Sequence, residues 1–174
     1  VKFNAGVRLF VNGTLSAVGT TEKRIYFTSL KDDTIGGDTN ADAASTLPAV
    51  NDWGWVEFGA TSSSTLDYLT VRYSGRYDYY GAHFQSALSA QAYKIPVVGN
   101  NVELTSNWGN AIELPGGTLP ANVTTVLPSY PPASYLVRDN LTIPTGATLT
   151  VEPGAKVKFN AGVRLFVNGT LSAV

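Results

Sequence analysis

The densest chemistry in the chain is the run Asp38-Thr39-Asn40-Ala41-Asp42. Oxygen-bearing side chains at alternate positions can converge on one hard cation, as Ca²⁺ requires, and Asp32, Asp33 or Asp52 could complete the shell. The run is not an EF-hand, because Ala43 and Ala49 stand where that loop needs its turn glycine and its bidentate glutamate. The same residues equally describe a solvated loop in which Asp and Asn favour bends. Asp38, Asn40 and Asp42 are the candidate metal ligands, and Ca²⁺ is the candidate cofactor.

A second cluster is aromatic. Between Arg72 and Phe84 the chain concentrates Tyr73, Tyr77, Tyr79, Tyr80 and His83. Tyrosine joins a large apolar face to a polar tip, so an exposed strip of them could bind a second copy of the chain or stack on sugar rings. The alternative is that alternate members are core and the rest exposed strand residues. Trp53, Trp55 and Trp108 read as corner-filling structural residues. No enzyme is expected: the acids are dispersed outside the 31–52 loop, His83 is the one imidazole, and no nucleophile-elbow, P-loop or dinucleotide motif occurs.

The elements that must carry these residues are short strands. Residues 141–172 fall into four octads, LTIPTGAT, LTVEPGAK, VKFNAGVR and LFVNGTLS, with apolar side chains at the first and third places. Alternation of period two predicts a strand with one buried face. Gly146, Gly154 and Gly162 recur at the sixth place and Gly169 one place earlier, where a residue free of Cβ can turn a corner through positive φ. If three octads close one coil, residues 24 apart stack: Val1 under Ile25, Phe3 under Phe27, Leu141 under Leu165. Proline at positions 48, 96, 115, 120, 144 and 153 argues against helices. An antiparallel sandwich also recurs at this spacing, but uniform octads with bends of one kind favour a parallel β-solenoid.

Residues 157–174 repeat residues 1–18 letter for letter, an offset of 156 (157 less 1). The chain therefore reads as a single solenoid unit, 1–174: one tandem repeat of 156 residues plus an 18-residue overlap, with a natural start near Tyr135 and a polar insertion over 31–52. Further strands are expected at 55–58, 66–73, 87–92, 95–98, 102–104, 111–114, 123–127 and 135–137. Five or six coils per unit, at ~4.8 Å per layer, give an advance on the order of 25 to 30 Å.

Composition narrows the function classes. Twelve basic residues against 13 acidic leave a formal charge of −1, which offers no footprint for nucleic acid, and no apolar run is long enough for a membrane span. Cys and Met are both absent, as suits a protein outside the cell that avoids oxidisable side chains. Asn12, Asn122, Asn140 and Asn168 head N-x-S/T triplets, which matter only in a glycosylating host.

The stretches NLTIPTGATLTVEPGAKVKF, VNGTLSAVGT, IYFTSLKDDTIGGDTNADAAS and DWGWVEFG resemble the repeats of right-handed parallel β-helix proteins on bacterial surfaces. The resemblance implies an all-β, right-handed parallel β-helix with about three strands per coil, in a long secreted solenoid or adhesin-like protein. One departure is Ala43, where such loops commonly carry Gly. The expected function is a structural, extracellular repeat protein whose units stack end to end into a fibre. The alternative is a carbohydrate-binding adhesin with the solenoid as stalk. Val157, Phe159, Leu165 and Val167 are the expected junction residues, and the expected partner is a neighbouring identical repeat, with glycans as a further candidate.

Overall fold

The computed structural model describes residues 1–77, 84–130 and 133–174. Alternating apolar residues do form short strands, and the strands wind into a parallel β-solenoid. The first coil is β1 (Lys2–Phe3), β2 (Leu9–Val11) and β3 (Ser16–Val18). The second is β4 (Ile25–Ser29), β5 (Val56–Phe58) and β6 (Thr65–Asp67). The third runs through β7 (Leu69–Arg72), β10 (Leu88–Ala90) and β11 (Val97–Val98), and carries a projecting antiparallel hairpin, β8 (Arg76–Tyr77) with β9 (Phe84–Gln85). Then follow β12 (Glu103–Thr105), β13 (Ala111–Leu114), β14 (Gly117–Thr118) and β15 (Thr124–Leu127). The last rungs are β16 (Ser134–Val137), β17 (Leu141–Ile143), β18 (Thr148–Val151), β19 (Val157–Phe159), β20 (Leu165–Val167) and β21 (Thr170–Ala173).

One face runs unbroken through six parallel strands, β2-β5-β10-β13-β16-β19. Its registers place Leu9, Val56, Leu88, Ile112, Tyr135 and Val157 in a single column. The four inner members are buried, each burial contributing about 1.5–3 kcal/mol, while the two end members are only half-buried. The other faces are interrupted. The sheet β1-β4-β7-β12 ends where β15-β18-β21 begins, and β3-β6-β11 ends where β14-β17-β20 begins. At this break the 3-10 turn Ala92–Lys94 packs on β15, and the Tyr130 hydroxyl donates to the Pro96 carbonyl.

Corners follow the glycine reading in part. Gly146, Gly154 and Gly162 turn at φ of 81°, 82° and 76°. Gly169 is glycine for a different reason: a Cβ there would lie 2.3 Å from the Pro144 carbonyl oxygen of the rung beneath. Leu141 does stack under Leu165. At the other end the register differs from expectation, pairing Lys2 with Thr28 and Phe3 with Ser29, 26 positions apart instead of 24. The corner between β3 and β4 is closed by reciprocal Thr20 and Lys23 backbone hydrogen bonds and is longer than an octad bend. Phe3 nevertheless packs edge-on to Phe27 at 5.8 Å. The expected single strand over 66–73 is two strands, broken at Tyr68 with φ of 45°. Asp67 accepts from the Tyr68 and Asn101 backbone N–H groups and so fastens that corner to the next rung.

Candidate functional site

The insertion leaves the coil after β4 and returns at β5, and its two ends are stitched to the strands. At the outgoing end Asp32, fully buried, accepts from the hydroxyls of Thr28 and Thr34 and from Arg72 Nε at 2.8 Å. Burial alone would raise its pKa, but these donors and the guanidinium hold it below the ordinary carboxylate range. At the returning end Asp52 pairs with Lys31 Nζ at 2.9 Å and accepts from Ser29 Oγ and the Ala49 N–H. Those donors likewise outweigh burial and depress its pKa. Trp53 closes the base, stacked on Phe3 at 4.3 Å with its Nε1 donating to the Arg72 carbonyl. Asp32 and Asp52 are therefore occupied in anchoring the loop and do not complete a cation shell.

The remaining acids converge. One carboxylate oxygen from each of Asp33, Asp38 and Asp42 lies within 4.8 Å of the others. Asp38 accepts from the Asp42 and Ala43 N–H groups, and Asp42 accepts from Asn40 Nδ2, the Ser45 and Thr46 N–H groups and the Thr46 hydroxyl. The Thr46 hydroxyl contributes most to holding the Asp42 carboxyl below its usual value. Asp33 Oδ1 and Asn40 Oδ1 are shielded from solvent and have no hydrogen-bond partner. Of the expected trio, Asp38 and Asp42 are thus brought together, with Asp33 as the third carboxylate, while Asn40 turns its amide nitrogen to Asp42. Three converging carboxylates are hard donors of the kind Ca²⁺ takes.

The tyrosine strip is only partly within the described residues. Tyr73 sits at a corner with φ of 63°, half-buried against the core, with the Arg72 guanidinium 5.3 Å from its ring. Tyr77 belongs to β8, paired with Phe84. Tyr79, Tyr80 and His83 lie outside the described residues.

A third feature is the C-terminal end of the coil. Leu141, Leu149, Val151, Val157, Phe159 and Leu165 surround an opening of about 290 Å³. Phe159 is 42% exposed and Val167 46%, whereas their counterparts in the first copy, Phe3 and Val11, are 8% and 7% exposed. The difference arises from position alone, because the residues are identical and the second copy has no rung above it.

Sequence reading passed over Glu113. This carboxylate is fully buried in β13 and accepts from the Ser86 N–H on one side and from Arg138 Nη1 at 2.9 Å on the other, bracing three successive rungs. Burial raises its pKa to about 7 against these donors. Its one sequence signal was an acid inside an apolar strand, Ala111–Leu114.

No family model, curated protein or solved structure matches this chain. The fold itself is that of a parallel β-solenoid. Among the described residues no helix is long and apolar enough to cross a membrane.

Proposed function

We propose that the chain is one unit of an extracellular structural protein whose β-helical units join end to end into a continuous fibre. The observation that supports this reading best is the 18-residue segment that recurs letter for letter as residues 157–174 and folds in both places into rungs of one parallel coil lining the same apolar column. An uncovered end coil presents unpaired backbone N–H and C=O groups, an aggregation hazard unless another rung pairs with it. The next unit is the natural cover, since Phe3, the twin of Phe159, is already covered by Phe27 and Trp53. Contact of this head-to-tail kind does not close and so grows filaments. Absence of Cys and Met fits an oxidising exterior. In the same reading, a Ca²⁺ held by Asp33, Asp38 and Asp42 pins the long insertion against the coil.

Imaging tests the fibre. Tandem arrays of the unit should appear as uniform filaments, with an axial advance of about 26 Å per unit for five and a third layers at ~4.8 Å. Phe159→Lys with Leu165→Lys, which places charge in the end column, should abolish lateral-free end-to-end growth. Compact particles that never elongate, with or without those changes, would remove the proposal.

A further inference from the structure

The two identical copies do not occupy equivalent places around the coil. In the first copy Lys2–Phe3 supplies β1, LFV supplies β2 on the unbroken six-stranded face, and SAV supplies β3. In the second copy VKF supplies β19, which lies on that six-stranded face, and LFV supplies β20 on the next face round. The segment has moved on by one face. From β2 to β19 the face climbs five rungs, and β1 precedes β2 by one face, so one repeat spans five coils and a third of another.

Resting on the fibre reading, we propose that each unit receives its successor rotated by one face, about 120° around the axis, so that the fibre has three-fold screw symmetry. The occupant of the open end is defined. The counterpart of β4 in the next unit continues the six-stranded face above β19, as β4 lies above β1 here, and the next Phe27 and Trp53 cover Phe159 as they cover Phe3. The six-stranded sheet of one unit thereby continues as the first sheet, β4-β7-β12, of the next. Register supports the match, since Lys2–Phe3 of β1 and Lys158–Phe159 of β19 are the same pair and each strand is a single rung of a parallel ladder.

The rotation has a consequence for display. The 31–52 insertion leaves between β4 and β5, and in the next unit it leaves from the following corner. Successive insertions therefore point in three directions, and one direction recurs every three units, or sixteen layers, about 77 Å at ~4.8 Å each. A unit of five or six whole coils would instead stack every insertion in one row, with their acidic clusters facing like charges.

A two-unit chain tests this, made by continuing Val174 with a second copy of residues 19–174. The protein has no cysteine, so Leu47→Cys, at an exposed position in each loop, provides two specific spin-label sites. Pulsed electron-spin distances of more than about 35 Å are expected, for a loop standing about 15 Å off the axis and an advance of about 26 Å. Amide exchange over residues 157–174 should also slow by roughly tenfold or more relative to the single unit, as an end rung becomes an interior one. A distance near 26 Å with slowed exchange would overturn the rotation and leave end-to-end stacking standing. Unchanged exchange over 157–174 would overturn the stacking itself and the rotation with it.

Discussion

Replacing Arg72 by methionine probes how the insertion is held to the coil. Arg72 donates to Asp32 Oδ2 and to Thr34 Oγ1 at 2.6 Å, and its guanidinium lies over the rings of Tyr26 and Tyr73. Methionine keeps much of the stem packing and removes the charge and the donors. Asp32 is then a fully buried carboxylate left with two hydroxyl partners, and breaking a buried pair in this way costs about 3–5 kcal/mol. Against a total stability of roughly 5–15 kcal/mol this is a large share, equivalent to a fall in Tm of roughly 10 °C for a domain of this size. The pH dependence carries the more specific signature. With its pKa depressed below 3.8, Asp32 contributes stability that is present above pH 3.8 and lost as pH falls through the lower folded value. In the variant the cation is gone and burial drives the carboxyl upward, so the variant should recover part of its deficit as pH falls from 7 towards 4 and the group takes up a proton. Urea denaturation of both proteins at pH 4 to 8, with amide exchange over 31–52, measures the effect. A loss below about 1 kcal/mol, or a deficit that stays constant across that pH range, would refute the view that this ion pair anchors the loop.

Glu113→Gln should change the pH profile in the opposite sense. A folded pKa of about 7 against 4.5 gives stability that is fully present below pH 4.5 and lost as pH rises through about 7, so the variant should gain up to ~3 kcal/mol relative to the parent between pH 4 and 8; parallel profiles would exclude this. Calcium at a hundred times its dissociation constant should raise stability by about 2.7 kcal/mol, an effect abolished by chelator and by Asp33→Asn with Asp38→Asn; identical melting curves with and without chelator would dismiss the site. Gly169→Ala should destabilise the chain, since its Cβ would meet the Pro144 and Ala147 carbonyls, whereas Gly13→Ala has open space; calorimetry finding the two equal would contradict the packing of the last rung.

Periodicity, corner glycines and the duplicated segment are local or one-dimensional facts, and they determined the strand type, the three-strand coil and the presence of an insertion. Leu141 over Leu165 was legible because both lie in a run of regular octads, where equal spacing means equal height. The pairing of Phe3 with Ser29 was not, because it depends on how the Thr20–Lys23 turn closes a longer corner. Asp38, Asn40 and Asp42 could be picked out by their alternate spacing, while the division of labour among the neighbouring acids could not. Asp32 and Asp33 are adjacent in the chain, yet one faces Arg72 from a strand in the next coil and the other faces the loop. Glu113 gained its elevated pKa from rungs contributed by residues 86 and 138. The rotation between the two identical copies is likewise a tertiary fact. Identical sequence lays down the same succession of three short strands in each copy, but the face on which they fall is set by the number of strands laid down between them, and that count exists only once the chain has wound.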